Sequence, residues 1–327
     1  MDKVARMTPK DREGVFQECA ARRGVRGVVI EKDFWVCWIL QKLYGNDMLS
    51  KNIMFKGGTS LSKVFNVIER FSEDIDLVLN WNLLEMSLFP EAGSNKAKKL
   101  WKDELKQKSC RYVEGTIYPI VGKLIGEDLC DLSIDVSNGT AKIFIKYPHS
   151  FTDEYIQNRI LLEIGPRSAW KPNAIYNIKP YLAEEFPEMF SAPMAKVHTI
   201  KAERTFWEKV LILHQEHYRL EDKQPRDRYS RHYYDVVMMC KKGIKDSALA
   251  DLALCEQVVE FKKKFFPCSW SKDDLAKSGT FTLMPNKSLT NALKKDYAGM
   301  EQMIFGEYPN FDELLSEIGA LEKELNS

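Results

Sequence analysis

The sequence predicts an α/β fold of the α+β kind in two parts: a mixed unit over residues 1–195, and a mainly helical unit over residues 196–327. Two observations carry this expectation. Runs with the alternation or β-branched content of strands, "IMFKGG", "DIDLVLN", "LSIDVS", "AKIFIKYP" and "RILLEIGPR", all fall in the first part, interleaved with helical patterns. From about Lys196 onward the periodicity is helical throughout, so the boundary is set near Pro193.

Each element follows from its local pattern. From about Thr8 to Tyr44 the spacing is helical, and in "VIEKDFWVCWILQKLYG" Phe34, Cys37, Trp38 and Leu40 mark a buried face. "IMFKGG" is a short strand running into a turn. Ser60 to Ile68 reads as a helix, because Leu61, Val64, Phe65 and Ile68 recur at i, i+3, i+4 and i+7. "DIDLVLN" is a strand, and "NKAKKLWKDELKQKSCRY" a lysine-rich helix. In the second part "TIKAERTFWEKVLILHQEHYRL" is a strongly amphipathic helix, and "RHYYDVVMMCKKG" is another that stops at Gly243. Further helices follow, with a loop at "KSGTFTLMPNKS".

Bulk properties narrow the function classes. At 327 residues and 44% hydrophobic content the chain can bury a sizeable core. Its 48 basic and 47 acidic side chains leave a formal charge of +1, so any nucleic-acid surface must be local. No apolar run approaches the roughly 18 residues of a membrane span, and "MDKVARMTPKDREG" lacks the apolar core of a signal peptide. A cytoplasmic protein with no membrane partner is expected. Seven scattered cysteines without a C-x-x-C pair argue for reduced apolar fillers rather than disulfides or zinc.

The chemistry concentrates in "FKGGTSLSKVFNVIERFSEDIDLVL", Phe55 to Leu79. Gly57-Gly58 can adopt backbone angles closed to other residues and admit a ligand close to the main chain. A helix starting there offers free N–H groups and a positive dipole end to a phosphate, and Thr59 and Ser60 add hydroxyls. In the strand that follows, Asp74 and Asp76 share one face while Ile75, Leu77 and Leu79 share the other. Two carboxylates on one face of a half-buried strand repel unless a cation or solvent relieves them. Oxygen-only ligands of this kind suit Mg²⁺, with Mn²⁺ as the alternative, bound together with substrate phosphates.

A glycine pair, a serine, a short helix and then D-x-D on a strand together resemble the nucleotidyltransferase superfamily that includes DNA polymerase β and the CCA-adding enzymes. "EKDFWVCWILQKL", "FKGGTSLSKVF", "RFSEDIDLVL" and "ERTFWEKVLIL…RHYYDVV" are similar to the AbiEii/AbiGii toxins of bacterial type IV toxin–antitoxin and phage-abortive systems. The resemblance runs to about Cys240. It implies a polymerase-β-like nucleotidyltransferase domain that transfers NMP from a nucleoside triphosphate to an acceptor hydroxyl, on tRNA or another RNA, with a cognate antitoxin. It also implies that Gly57, Gly58, Thr59 and Ser60 hold the nucleotide, Asp74 and Asp76 bind the metal, Lys209 contacts the triphosphate and Asp235 supports the site. A third metal carboxylate is expected on a neighbouring strand. Glu163, followed by Arg167, is preferred to Asp135. Relatives often read R-D-x-x-D where this chain has Arg231-His232-Tyr233-Tyr234-Asp235.

Taken without the resemblance, Lys209 is an ordinary lysine on an amphipathic helix, its stem packed and its head in water. Arg70 is expected to pair with phosphate, with Glu73 or in a structural ion pair. His214 and His217 have a spacing that could ligate zinc, but no third ligand is evident, so they read as exposed helix histidines. Two basic stretches, Lys96 to Arg111 and Arg226, Arg228 and Arg231, would suit a phosphate backbone or would simply be solvated. The competing functions are a metal-dependent D-x-D glycosyltransferase, which leaves the Gly-Gly-Thr-Ser turn unexplained, and a non-catalytic nucleotide- or partner-binding module.

Overall fold

The computed structural model describes residues 1–126, 128–137, 139–154, 156–166, 169–219 and 227–327. Residues 1–64 and 72–200 form one compact unit, and residues 65–71 and 201–327 a second. The chain thus leaves the first unit after Val64 and re-enters it at Ser72.

The first unit is built on a mixed seven-stranded sheet. Its strands are β1 (Ile53–Lys56), β2 (Asp74–Leu79), β3 (Asp131–Ser137), β4 (Thr140–Lys146), β5 (Arg159–Gly165), β6 (Asn173–Ile178) and β7 (Ala195–Ile200), in the order β3-β4-β5-β2-β1-β7-β6. The β2–β5 and β1–β7 pairs are parallel and the others antiparallel. Strand alternation sorts the sheet into two faces. On one, Phe55, Ile75, Leu77, Ile143, Ile145, Ile160, Leu162 and Ile164 are buried. The opposite face carries Asp74, Asp76, Glu163 and Lys142 and is half-buried or exposed at these positions.

The Gly27–Tyr44 helix is apolar around most of its circumference, so it buries nearly all its residues, and it packs along β7. Phe34, Trp35, Trp38 and Tyr147 form an aromatic core with ring centroids 5.3–5.4 Å apart. The lysine-rich segment is the expected helix, Asn95–Tyr112, and packs on β4 and β5 through a face that includes Trp101 and Leu105.

The second unit comprises the Ala202–His217, Arg231–Lys241, Ile244–Leu249, Leu252–Phe265, Lys287–Ala298 and Phe311–Leu325 helices, together with Phe65–Phe71. Trp207 stacks on Phe281 at 6.2 Å, and an Asn310–Glu313 capping box starts the last helix. Phe65–Phe71 joins this unit by main-chain pairing. Arg70 and Ile304 form an antiparallel bridge, flanked by Phe71 N to Met303 O (2.6 Å) and Phe305 N to Glu69 O (2.9 Å).

Two expectations need correction. The helix read over Ser60–Ile68 is Gly57–Lys63, because Asn66 turns into the left-handed region (φ 51°) and the following segment pairs with residues 303–305 instead. Strands β6 and β7 were not expected. Thr199 and Ile200, read as the start of a helix, complete a strand paired with β6 in register from Ala195 to Ile200, and the helix begins at Ala202. The two compact units divide between Ile200 and Lys201, with residues 65–71 in the second. Among the described residues no helix is long and apolar enough to cross a membrane.

Candidate active site

The acidic strand β2 lies between β1 and β5, and the registers on its two sides define the site. Asp76 pairs with Lys56 on β1 and Glu163 on β5, and Glu163 pairs with Lys142 on β4, which in turn faces Asp135 on β3. In-register neighbours share a face, so the row across the sheet reads Asp135, Lys142, Glu163, Asp76, Lys56. Adjacent strands are about 4.8 Å apart. Glu163 is thus the immediate neighbour of Asp76, whereas Asp135 stands on the edge strand with Lys142 between it and Glu163. Asp74 lies one step along the same face, opposite Leu161. Asp74 and Glu163 are exposed and Asp76 is half-buried. Like charges placed side by side repel, so the three carboxylates form an acidic surface bounded in its row by Lys56 and Lys142.

The turn before this strand is shaped around it. Gly57 has φ 82°, and a Cβ there would overlap the Asp76 carboxylate. Glycine is therefore required twice over: by the left-handed backbone and by the close approach. Thr59 and Ser60 are buried, and their hydroxyls have internal partners. Thr59 Oγ1 donates to the Asp74 carbonyl (2.5 Å) and shares a hydrogen bond with Ser72 Oγ (3.0 Å). Ser60 Oγ donates to the Gly57 carbonyl (2.8 Å). Thr59 fixes the turn against β2, and Ser60 closes the turn on itself. The groups left to face a ligand are main-chain N–H groups at the start of the Gly57–Lys63 helix, which have no partner within that helix. Arg167, expected to follow Glu163, lies outside the described residues.

Among the described residues no three His, Cys, Asp or Glu side chains converge to enclose a metal ion. Paired carboxylates open on one side do fit Mg²⁺, which usually keeps several waters and takes one or two protein carboxylates plus substrate phosphates.

Lys209 and Asp235 belong to the second unit, and there they meet. Asp235 is fully buried. It receives the Arg70 guanidinium through both oxygens, Nε to Oδ1 at 2.6 Å and Nη2 to Oδ2 at 2.8 Å, and Lys209 Nζ to Oδ2 at 2.7 Å. Side-chain exposures of 6% for Arg70 and 9% for Lys209 place the whole triad out of water. Burial pushes the Asp235 carboxyl up, yet Arg70 and then Lys209 hold it well below the ordinary range. Lys209 is lowered by burial, with the Arg70 and Arg231 guanidiniums acting the same way against Asp235. Two buried cations on one carboxylate leave surplus positive charge. His232 is held neutral, chiefly by burial and then by Lys209 and Arg231.

The sequence had no means of pairing Arg70 with Asp235, 165 positions away. The histidines are also corrected. His214 is buried, with Nδ1 accepting from Thr282 N and Nε2 against Lys272 O, and half-buried His217 meets Met284 O at 2.8 Å. They tie the 272–284 segment to their helix. In the Lys96–Arg111 stretch, Lys106 pairs with Asp103 and Lys108 with Glu104. In the second basic stretch, Arg226 lies outside the described residues and Arg231 is exposed. None of the seven cysteines is in a disulfide.

This geometry makes three predictions. Gly57→Ala must either move Asp76 or strain the turn, so it should cost about 1–2 kcal/mol and reduce activity to near the level of Asp76→Asn; unchanged activity would show that the close approach is dispensable. In the triad, removing one partner of a buried pair costs about 3–5 kcal/mol. Arg70→Met leaves Lys209 and Asp235 matched, whereas Asp235→Asn leaves two buried cations facing each other, so urea unfolding should find Asp235→Asn the less stable. The pH dependence carries a sign. A carboxyl whose pKa is depressed by folding stabilises the fold above its unfolded value of about 3.9, and that contribution is lost as pH falls below it. Wild type should therefore lose stability below about pH 4 more steeply than Asp235→Asn, and parallel profiles would contradict this assignment.

Comparison with known proteins agrees with the resemblance. A model of the family described as nucleotidyl transferase AbiEii toxin, type IV TA system, matches residues 38–317. No curated protein matches the sequence. Among solved structures, the nucleotidyltransferase toxin MenT4 from Mycobacterium tuberculosis H37Rv is similar at 12% identity and a TM-score of 0.45, with 95% of this chain and 99% of that one covered. The family match spans the glycine turn, the acidic strand, Glu163, Lys209 and Asp235. The chain belongs to the AbiEii family of nucleotidyltransferase toxins of type IV toxin–antitoxin systems.

Proposed function

We propose that this nucleotidyltransferase moves the nucleoside monophosphate of an NTP onto an RNA hydroxyl, with tRNA as the first acceptor to test. We further propose that it uses Mg²⁺, or alternatively Mn²⁺, and acts as the toxin partner of a cognate antitoxin. The observation that carries this reading is the in-register placement of Asp76 beside Glu163, with Gly57 pressed against the Asp76 carboxylate. Asp74 and Asp76 would hold the cation, with Glu163 joining them from β5. When bound, a divalent cation there neutralises phosphate charge and lowers the pKa of an attacking hydroxyl.

The protein's own groups would act mainly by positioning and electrostatics, as in phosphoryl transfer generally. The main chain at Gly57 and Gly58 would let phosphate oxygens approach the helix start, and Thr59 and Ser60 would keep that turn rigid. Within the second unit, Asp235 would fix the Lys209 ammonium, with Arg70 holding the carboxylate from the other side.

The test is incubation of wild type and Asp76→Asn with each α-³²P-labelled NTP, Mg²⁺ and total bacterial RNA. Label in a discrete RNA band only with wild type is the expected result, and it would identify the nucleotide. Label on protein instead of RNA would replace the acceptor. No transfer to either, from folded protein, would favour the non-catalytic binding module.

A further inference from the structure

The Gly27–Tyr44 helix carries three consecutive charged residues, Glu31, Lys32 and Asp33, and all three are buried. Successive helix residues point about 100° apart, so each side chain leaves in its own direction. Glu31 accepts from the main-chain N–H groups of Ser150 (2.7 Å) and Phe151 (3.3 Å). Asp33 pairs with Lys63 at 2.6 Å, at the end of the Gly57–Lys63 helix, and accepts from Tyr181 N at 2.6 Å. The third, Lys32, reaches the open ends of two strands.

Lys32 Nζ donates to the carbonyls of Gln157 (2.6 Å) and Arg159 (2.5 Å) and lies 3.6 Å from the Glu73 carboxylate. Glu73 also accepts from Gln157 N at 3.3 Å. A buried ammonium is costly unless it is hydrogen-bonded and paired, and here two carbonyls accept from Lys32 while the Glu73 carboxylate balances its charge. The acceptors share a location. Arg159 is the first residue of β5, Gln157 stands two before it, and Glu73 immediately precedes β2. These are the two parallel strands whose register sets Asp76 against Glu163 and Asp74 against Leu161. A slip of one residue would pair the acidic face of one strand with the apolar face of the other.

We infer that Lys32 and Glu73 are a positioning pair that clamps the N-terminal ends of β2 and β5 and thereby sets the spacing of Asp74, Asp76 and Glu163 for a divalent cation. The cation half of this inference rests on the function proposed above, while the clamp itself does not. Lys32 touches neither substrate nor metal in this role. Its contribution is the geometry of the carboxylates that would.

The test uses the full chain and two variants. Glu73→Gln removes the charge but keeps an acceptor oxygen for Gln157 N. Lys32→Met strips these contacts and is expected to lower the melting temperature as well, so Glu73→Gln decides. Hydrogen–deuterium exchange would be followed in peptides covering 74–79 and 159–165. Mn²⁺ binding would be read from the electron paramagnetic resonance of the free ion, with Asp76→Asn as reference.

In folded Glu73→Gln, exchange should rise about tenfold in both strands, and the Mn²⁺ dissociation constant should rise about 10–100-fold. Unchanged exchange in both strands overturns the clamp. Faster exchange with unaltered Mn²⁺ affinity overturns the link from clamp to metal. Wild type binding Mn²⁺ no better than Asp76→Asn would sink the metal reading itself, and the exchange data would still decide the clamp.

Discussion

Everything distinctive in the first unit depends on one arrangement of like charges: Asp76 and Glu163 side by side on adjacent parallel strands, with Asp74 one step along the same face. Nothing in packing favours it. Two carboxylates roughly one strand spacing apart repel, and the opposite face of the same strands is a continuous apolar surface that would fold as well without them. The surroundings nevertheless hold the arrangement in place. Gly57 leaves room for the Asp76 carboxylate, Thr59 holds the Asp74 carbonyl, and Lys32 with Glu73 ties the strand ends together. In the function proposed above, a cation and phosphates would complete the charge balance.

The second unit shows the opposite imbalance. Asp235 is a single buried carboxylate receiving a bidentate guanidinium and an ammonium. A buried ion pair is weak evidence for stability, because desolvation offsets the attraction. What the triad does provide is a fixed location for the Lys209 ammonium, with positive charge to spare. Its sequence context is informative. Arg70 comes four residues before Asp74, in the segment Phe65–Phe71 that the second unit takes up by pairing with residues 303–305. A short stretch of sequence therefore supplies a triad member to one unit and the acidic strand to the other.

Much of the site was legible because its signals are local. Strand alternation put Asp74 and Asp76 on one face, and two adjacent glycines before a helical pattern marked the turn. The preference for Glu163 over Asp135 came from a family-like pattern; the register shows only that Glu163 lies beside Asp76 and Asp135 on the edge strand. Signals that depend on remote partners were not legible. Thr59 and Ser60 read as donors to a ligand, yet the Thr59 hydroxyl is used on the Asp74 carbonyl and the Ser60 hydroxyl within the turn. His214 and His217 read as exposed, yet main-chain groups from residues 272–284 meet both. Strand β7 was hidden because "AKVHTI" runs directly into an amphipathic helix, and its strand character is decided by pairing with β6 and β1.

By itself, then, the sequence determined the order of most elements, the glycine turn, the shared face of the two aspartates and the family, since all of these are written in periods of two to four residues or in contiguous motifs. Only the tertiary structure decided that Glu163 adjoins Asp76, that Arg70 and Lys209 meet on Asp235, and that Lys32 reaches the ends of β2 and β5. Those contacts join residues from 26 to 165 positions apart. They form because burying the apolar sheet face and the helices leaves each enclosed charge a single set of partners within reach.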